Sequence, residues 1–267
     1  MKFKTDSLPE TEKVNLAQQN ANRMSQPQQN QQRPHVKVVF CIPGREFTAN
    51  FLQSWTKLCN ALYLNQISFV LSNTYSPVVY YARSACLRAH VLRGRHQKPF
   101  NEEITYEYMM WIDSDIVFEP EHFFELLKRM ELNRDLQVLS GTYLMADGHH
   151  TTIVDKWDED FFQQNGSFKF LTLKELLDKS NTEEVKKNNG LLDIVYAGFG
   201  FLMIRTGVFE QFEYPFFKPI FHELKNGTIY DFSSEDASFF LELKDKGIKA
   251  YVDPTVHVGH EKMLVLR

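Results

Sequence analysis

Two acidic residues, one residue apart, follow an apolar run near the middle of the chain. The run covers residues 108–112, and the acids are Asp113 and Asp115. Because side chains alternate faces along a strand, carboxylates at positions i and i+2 can bind one cation or its waters together. Oxygen ligands of this kind suit Mg²⁺ or Mn²⁺, which keep open positions for substrate phosphates. The alternative is a solvated turn in which Asp113 caps the segment that follows.

A second acidic pair, Glu235 and Asp236, precedes an amphipathic segment that ends at Gly247. Asp236 is expected in the first turn of a helix, where the helix dipole stabilises a carboxylate. At that position it can take a proton from a substrate hydroxyl as a general base. The alternative is a helix cap formed together with Ser233.

Two histidines near the end of the chain, His257 and His260, lie in a segment that is predicted to be extended. Imidazole is a common ligand of transition metals, so either residue would complete a metal site and favour Mn²⁺ over Mg²⁺. The alternative is a pair of partly buried polar residues.

The elements that must position these side chains alternate between strand and helix patterns. Strands are predicted at 36–42, 67–71 and 106–112, and helices at 48–65 and 77–92. This alternation predicts a parallel sheet with helices on both faces, and ligands of such sheets bind beyond the carboxyl ends of the strands. Three polar loops follow these strands and are expected to converge there: Pro43-Gly44-Arg45, Ser72-Asn73 and Asp113-Ser114-Asp115.

The second half of the chain is predicted to continue the same domain. A helix at 121–132 and a strand at 138–143 precede a charged surface excursion at 155–189. Two glycines, Gly198 and Gly200, follow its return and are expected to let the backbone approach a neighbour closely.

Composition limits the class of protein. The 267 residues, 43% of them hydrophobic, are enough for one large core, and a net charge of -4 argues against a nucleic-acid-binding protein. The three cysteines lack zinc-type spacing and are predicted to be reduced, which favours a cytoplasmic protein. Neither a membrane span nor the apolar core of a signal peptide is visible. Residues 1–35 are polar and rich in glutamine, and are predicted to form a flexible leader.

In order and in type, these motifs resemble the GT-A glycosyltransferases, and in particular small, single-domain, family-2-like members from viruses, phages and bacteria. The resemblance covers about residues 36–263 and includes the segments 75–83 and 252–254. It implies a Rossmann-like mixed, mainly parallel sheet flanked by helices in one domain over residues 36–267. The nucleotide-binding half would be 36–115 and the acceptor-binding half 116–267.

The resemblance also implies an activity, the transfer of one hexose or pentose from a nucleoside diphosphate sugar to a hydroxyl acceptor such as a glycan, with inversion. A UDP-sugar is the favoured donor and a GDP-sugar the alternative. Asp236 would be the base, and Asp113 and Asp115 would hold Mn²⁺ or Mg²⁺ with His257 or His260. The implied nucleoside pocket consists of Pro43, Gly44, Arg45, Asn73, Arg83, Asp113 and Ser114, and the implied sugar and acceptor contacts are Gly198, Phe199, Gly200 and Glu235. For two of these residues a structural role is an equal alternative, since Arg83 can be a helix-surface cation and Phe199 can pack in the core.

Three other classes of protein are alternatives to a single-transfer glycosyltransferase, and the sequence argues against two of them. The chain lacks the Gln-x-x-Arg-Trp signature and the membrane helices of polymerising synthases, which favours a single transfer. A nucleotidyltransferase would need a glycine-rich phosphate loop after the first strand, where this chain has one glycine, Gly44. A carbohydrate-binding protein of the same fold without turnover is the non-enzymatic alternative. The sequence does not determine the oligomeric state.

Overall fold

A computed structural model describes residues 33–224 and 227–263. The predicted leader therefore lies outside the described residues, except for its last three positions. Among the helices of the described ranges, none is both long enough and apolar enough to cross a membrane.

The described residues form strands and helices that alternate in the first part of the chain. The strands are β1 (His35–Pro43), β2 (Phe69–Thr74), β3 (Thr105–Ile112), β4 (Ile116–Val117), β5 (Val138–Thr142), β6 (Ile153–Val154), β7 (Leu192–Ile194), β8 (Tyr196–Ala197), β9 (Phe201–Arg205), β10 (Phe221–Leu224), β11 (Ile229–Phe232), β12 (Ala250–His257) and β13 (Gly259–His260). The α-helices are α1 (Ala49–Leu64), α2 (Val79–Cys86), α3 (Pro120–Leu132), α4 (Glu159–Asn165), α5 (Leu173–Ser180), α6 (Glu183–Lys187) and α7 (Glu235–Asp245).

Seven strands form the central sheet in the order β2-β1-β3-β9-β5-β12-β7. The pairs β1–β2, β1–β3 and β5–β12 are parallel, whereas β9 runs antiparallel between β3 and β5, and β7 is an antiparallel edge strand. Within the central sheet, all the strands except β9 and β7 thus run in one direction. This topology confirms a mixed, mainly parallel sheet flanked by helices in a single domain.

The first helix shows how local sequence fixes an element. Thr48 caps α1 by accepting a hydrogen bond from the backbone N–H of Phe51 at 3.1 Å, and the buried side chains Phe51, Leu58 and Leu62 lie on one face. The helix ends at Leu64, as predicted. By contrast, α2 ends at Cys86, well before the predicted end at residue 92. Arg88 has a φ of 55°, a left-handed conformation that an α-helix does not accommodate.

The core lies on both faces of the sheet. On β3, Met109 and Trp111 pack into a cluster with the helix α7, while Met110 and Ile112 pack into a second cluster with α1 and α3. Burial of each such side chain contributes about 1.5–3 kcal/mol. Because side chains pack against both faces of β3, the strand holds the carboxylates that follow it in fixed positions.

Several short elements were not predicted from the sequence. The hairpin β10–β11 is one, and the antiparallel pairs β6–β8 and β4–β13 are two others. The strands β4 and β13 have two residues each, too few to show a periodic pattern. Their pairing nevertheless carries the end of the described chain to the loop after β3.

Candidate active site

The loops that follow β1, β2 and β3 meet at one edge of the sheet. The side-chain amide of Asn73 donates hydrogen bonds to the carbonyl oxygens of Ile42 at 2.8 Å and of Gly44 at 3.0 Å. A Cβ atom on Gly44 would lie 2.8 Å from Cβ of Ser114, so a side chain there would push the two loops apart. The structure therefore brings Pro43, Gly44, Asn73 and Ser114 together at the carboxyl ends of parallel strands.

Arg83 is the centre of a buried ionic cluster. Its Nη1 and Nη2 atoms donate to the two carboxylate oxygens of Asp113 at 3.0 and 3.3 Å, and its Nε donates to Oε1 of Glu235 at 3.1 Å. The side chain is only 5% exposed. The helix α2 thus directs Arg83 inward, and the interpretation as a surface cation does not apply.

Charge explains the stability of this cluster. Burial opposes the charged form of Arg83, but Asp113 and Glu235 raise its pKa well above the ordinary value, so the guanidinium remains protonated. Burial also raises the pKa of Glu235, an effect that Arg83 opposes. With one cation between two acids, the cluster has an excess of negative charge.

Asp115 faces a different set of partners. Its Oδ2 atom lies 3.2 Å from Nε2 of His260 and 2.6 Å from Nζ of Lys262. Burial raises the pKa of Asp115, yet the hydrogen bonds and charges of His260 and Lys262 outweigh it and lower the pKa to about 2. Asp115 is therefore ionised throughout the physiological range.

The backbone fixes the tautomer of His260. Nδ1 of this residue lies 2.7 Å from the carbonyl oxygen of Leu144, which can only accept, so Nδ1 carries a proton. Nε2 faces Asp115, to which it donates a hydrogen bond when it carries a proton, and it can offer its lone pair to a cation when it does not. Histidine ligands of metals commonly donate their other N–H to a backbone carbonyl in this way.

His257 lies apart from these groups. Its pKa is lowered by burial and by nearby His122 of α3, and its Nδ1 atom has no hydrogen-bond partner among the described residues. Of the two predicted histidines, the structure brings His260 to the acids and leaves His257 on the α3 side.

The site provides part of a metal coordination shell. Within residues 33–224 and 227–263 no group of three or more His, Cys, Asp and Glu side chains is arranged to hold a metal ion. Asp115 and His260 nevertheless offer an oxygen and a nitrogen 3.2 Å apart. Adjacent ligands of an octahedral ion at 2.0–2.1 Å lie about 3 Å apart, so these two atoms fit one Mn²⁺ or Mg²⁺ whose other positions are open to water and phosphate oxygens.

Asp236 is the accessible member of the second acidic pair. Its Oδ2 accepts a hydrogen bond from the Tyr196 hydroxyl at 2.7 Å, and its Oδ1 accepts from the N–H of Ala237 at 2.8 Å and from the Ser234 hydroxyl. Burial, followed by the charge of Asp236, raises the pKa of Tyr196 well above its usual range, so the phenol keeps its proton. Glu235, in contrast, is buried against Arg83. Of this pair, only Asp236 is partly exposed.

The glycine pair packs against a tyrosine. A Cβ atom on Gly200 would lie 2.6 Å from the Tyr143 ring, one on Gly198 would overlap the Tyr143 hydroxyl, and that hydroxyl accepts a hydrogen bond from the Gly200 N–H at 3.0 Å. Phe199 is 1% exposed, and its ring lies 4.8 Å from the Arg83 guanidinium carbon. Its face is thus occupied by Arg83 and is not open to a substrate.

Some residues of the site were missed by the sequence analysis. Lys262, Tyr143 and Tyr196 were among them. Lys262 follows His260 by two positions, so alternation along an extended segment was a signal for it. No local signal marks the two tyrosines.

Arg45 was predicted for the nucleoside pocket. Its side chain is exposed, and its guanidinium carbon lies 5.8 Å from the centre of the Tyr75 ring.

Comparison with known proteins gives similarity only at the level of solved structures. No protein-family model matches the sequence, and no curated protein matches it. The structure of A197 from STIV covers 86% of this chain and 97% of its own, with 16% identity and a TM-score of 0.46.

Two similar structures contain Mn²⁺ together with a nucleotide or a nucleotide sugar. GalNAc-T7 with UDP, GalNAc and Mn²⁺ matches 86% of this chain and 44% of its own, at 11% identity and a TM-score of 0.49. A mannosyltransferase from Pyrobaculum calidifontis, in complex with GDP-Man and Mn²⁺, matches 92% and 63%, at 10% identity and a TM-score of 0.45. At these identities the similarity concerns the fold alone.

Proposed function

We propose that the protein is a metal-dependent glycosyltransferase that moves one sugar from a nucleoside diphosphate sugar to a hydroxyl acceptor, with inversion at the anomeric carbon. The observation that carries the proposal is the pair of Asp115 and His260, whose donor atoms lie 3.2 Å apart at the carboxyl edge of the sheet. Asp236 belongs to the same site, because the neighbouring Glu235 shares Arg83 with Asp113.

On the donor side, Asp115 and Nε2 of His260 would hold Mn²⁺ or Mg²⁺. When bound, the ion neutralises the charge that grows on the departing nucleoside diphosphate. Asp113 is oriented by Arg83 but keeps unused lone pairs on its oxygens, so it can accept a hydrogen bond from a ribose or sugar hydroxyl. Lys262 adds a positive charge beside the diphosphate position.

On the acceptor side, Asp236 takes the proton of the attacking hydroxyl. The new bond joins the acceptor oxygen to the anomeric carbon, while the bond from that carbon to the diphosphate oxygen breaks. Hydrogen bonds from Tyr196 and Ala237 hold the carboxylate in one orientation. A single displacement of this kind inverts the anomeric carbon. A UDP-sugar is the donor that we favour, with a GDP-sugar as the alternative.

Isothermal titration tests the donor site. Wild type is titrated with UDP and then with GDP, each with and without Mn²⁺, beside Asp115→Asn and the matched control Asp135→Asn, an exposed acid near the start of β5. We expect one nucleotide to bind only with the metal, and this binding to be lost in Asp115→Asn alone. Nucleotide binding that is indifferent to Mn²⁺ would overturn the proposal.

The base is tested separately with Asp236→Asn. This substitution should abolish transfer and leave metal-dependent nucleotide binding intact, because Asp236 has no part in holding the donor. Loss of the general base lowers such rates by about 10²–10⁴-fold. Full turnover in the variant would show that another group takes the proton.

A further inference from the structure

A large apolar cavity lies on the acceptor side of the chain. Its volume is about 830 Å³, within the range of small-molecule sites. Aromatic side chains form much of its wall: Trp157, Phe162, Phe168, Phe170, Tyr196 and Phe240. The metal and donor groups described above do not line it, so it is a separate feature of the acceptor half.

Three of the polar side chains in the wall have protein partners. Asp193 is paired with Lys249 at 3.1 Å, the Ser233 hydroxyl lies 2.6 Å from that of Ser238, and Asp231 accepts a hydrogen bond from the N–H of Phe232 at 2.8 Å. A ligand rich in hydroxyls would lose its hydrogen bonds to water against the aromatic wall without regaining them. The cavity therefore favours a hydrocarbon ligand.

Two residues of the cavity wall contact the candidate base, Asp236, which does not itself line the cavity. The Tyr196 ring packs against Phe168 at 5.2 Å and Phe240 at 5.7 Å, and its hydroxyl donates to Asp236 at 2.7 Å. Ser234 lines the cavity as well and also donates to this carboxylate. A molecule seated in the cavity would thus lie one side chain away from Asp236.

The cavity also reaches the protein surface. Trp157 and Phe232 line it and are 43% and 55% exposed, so a ligand can enter beside them. A cavity that is apolar, open to the surface and in contact with Asp236 through its wall suits an amphiphile with an apolar chain and a hydroxyl group.

We infer that the acceptor is a hydroxyl compound carried on a hydrocarbon chain, and that the cavity binds the chain. The inference rests on the proposed glycosyl transfer and specifies its acceptor class. The chain supplies binding free energy while Asp236 receives the hydroxyl proton. Each buried CH₂ strengthens binding by up to about fourfold.

The test compares two acceptor probes that differ only in the chain, methyl β-glucoside and n-octyl β-glucoside, with octyl glucoside kept below its micellar concentration. Binding to the full-length protein is measured by calorimetry, without need of turnover. We expect octyl glucoside to bind at least about 10-fold more tightly than methyl glucoside, even if only a few of its CH₂ groups are buried.

Matched variants locate the binding. Leu241→Glu puts a carboxylate on the cavity wall, and Leu177→Glu makes the same change on an exposed position of α5 outside the cavity. The advantage of the octyl chain should disappear in Leu241→Glu and persist in Leu177→Glu. Thermal melting checks that both variants remain folded, and Val195→Glu, at an exposed position of the wall, replaces Leu241→Glu if that variant does not fold.

The outcomes separate the two proposals. Equal binding of the two glucosides, together with metal-dependent nucleotide binding, would overturn the hydrocarbon acceptor and leave the transferase proposal standing. Absence of metal-dependent nucleotide binding would overturn both, whatever the octyl chain does. An octyl advantage that survives both wall variants would place the chain elsewhere and also overturn the inference.

Discussion

Nε2 of His260 lies 3.2 Å from Oδ2 of Asp115 because β13 pairs with β4. In that pair His260 is opposite Ile116, the residue that follows Asp115. The N–H of Glu261 donates to the carbonyl oxygen of Asp115 at 2.8 Å and continues the contact. A two-residue strand pair thus joins the last described segment to the acidic loop.

Removal of this imidazole should weaken metal binding. We expect His260→Ala to reduce Mn²⁺ affinity by more than about 10-fold, because one of two protein donors is lost. His257→Ala is the matched control and should leave the affinity unchanged, since His257 faces α3. Electron paramagnetic resonance of free Mn²⁺ measures both constants. An equal loss in the two variants would contradict the assignment.

The Arg83 cluster should be essential for stability. Arg83→Met leaves the carboxylates of Asp113 and Glu235 without their shared cation, and breaking a buried pair costs about 3–5 kcal/mol. The exposed Arg95, paired with Glu213, is the control, and Arg95→Met should change the free energy of unfolding by less than about 1 kcal/mol. Urea denaturation followed by circular dichroism compares the two. Similar small losses would show that the cluster is not a stabilising centre.

The glycine pair gives a prediction with an internal control. Gly198→Ala should destabilise the protein by about 1–3 kcal/mol, because its Cβ overlaps the Tyr143 hydroxyl. Adding Tyr143→Phe removes that oxygen and should recover part of the loss. Gly200→Ala should not be recovered, since its Cβ would still lie 2.6 and 2.8 Å from carbons of the ring.

Double-mutant cycles measure this difference. The free energies of unfolding of the single and double variants give a coupling for each glycine with Tyr143. The coupling should be larger for Gly198 than for Gly200. Recovery of the Gly200 variant to the same degree would mean that the ring moves freely.

Asp115 should contribute to acid stability in the metal-free protein. Its pKa is about 2 in the folded state against an ordinary 3.8, so its stabilising effect is present above about pH 4 and is lost as the pH falls towards 2. Asp115→Asn should therefore lose less stability than wild type across this window. Urea denaturation at about pH 4.5 and about pH 2.5 in the presence of EDTA measures the difference. Parallel losses in the two proteins would contradict the prediction.

Several elements follow from local sequence because their causes are local. Thr48 caps α1 and an apolar stripe defines its face, and runs of buried apolar residues mark β1 and β3. The sequence also predicts that the loops containing Gly44, Asn73 and Ser114 converge, since parallel strands bring their carboxyl ends to one edge of the sheet. The central antiparallel strand β9 was not predicted, because its place depends on pairing with two distant strands.

The sequence by itself determined the three parallel strands β1, β2 and β3, the order of the motifs and the edge at which the acids lie, since periodicity and composition act over short stretches of chain. Tertiary structure alone decided that Arg83 joins Asp113 to Glu235, that His260 and not His257 meets Asp115, and that Tyr196 links Asp236 to an apolar cavity. These contacts join residues far apart in the chain, and their partners are set by strand pairing and by the packing of both faces of the sheet. No local pattern of residue types encodes such pairings.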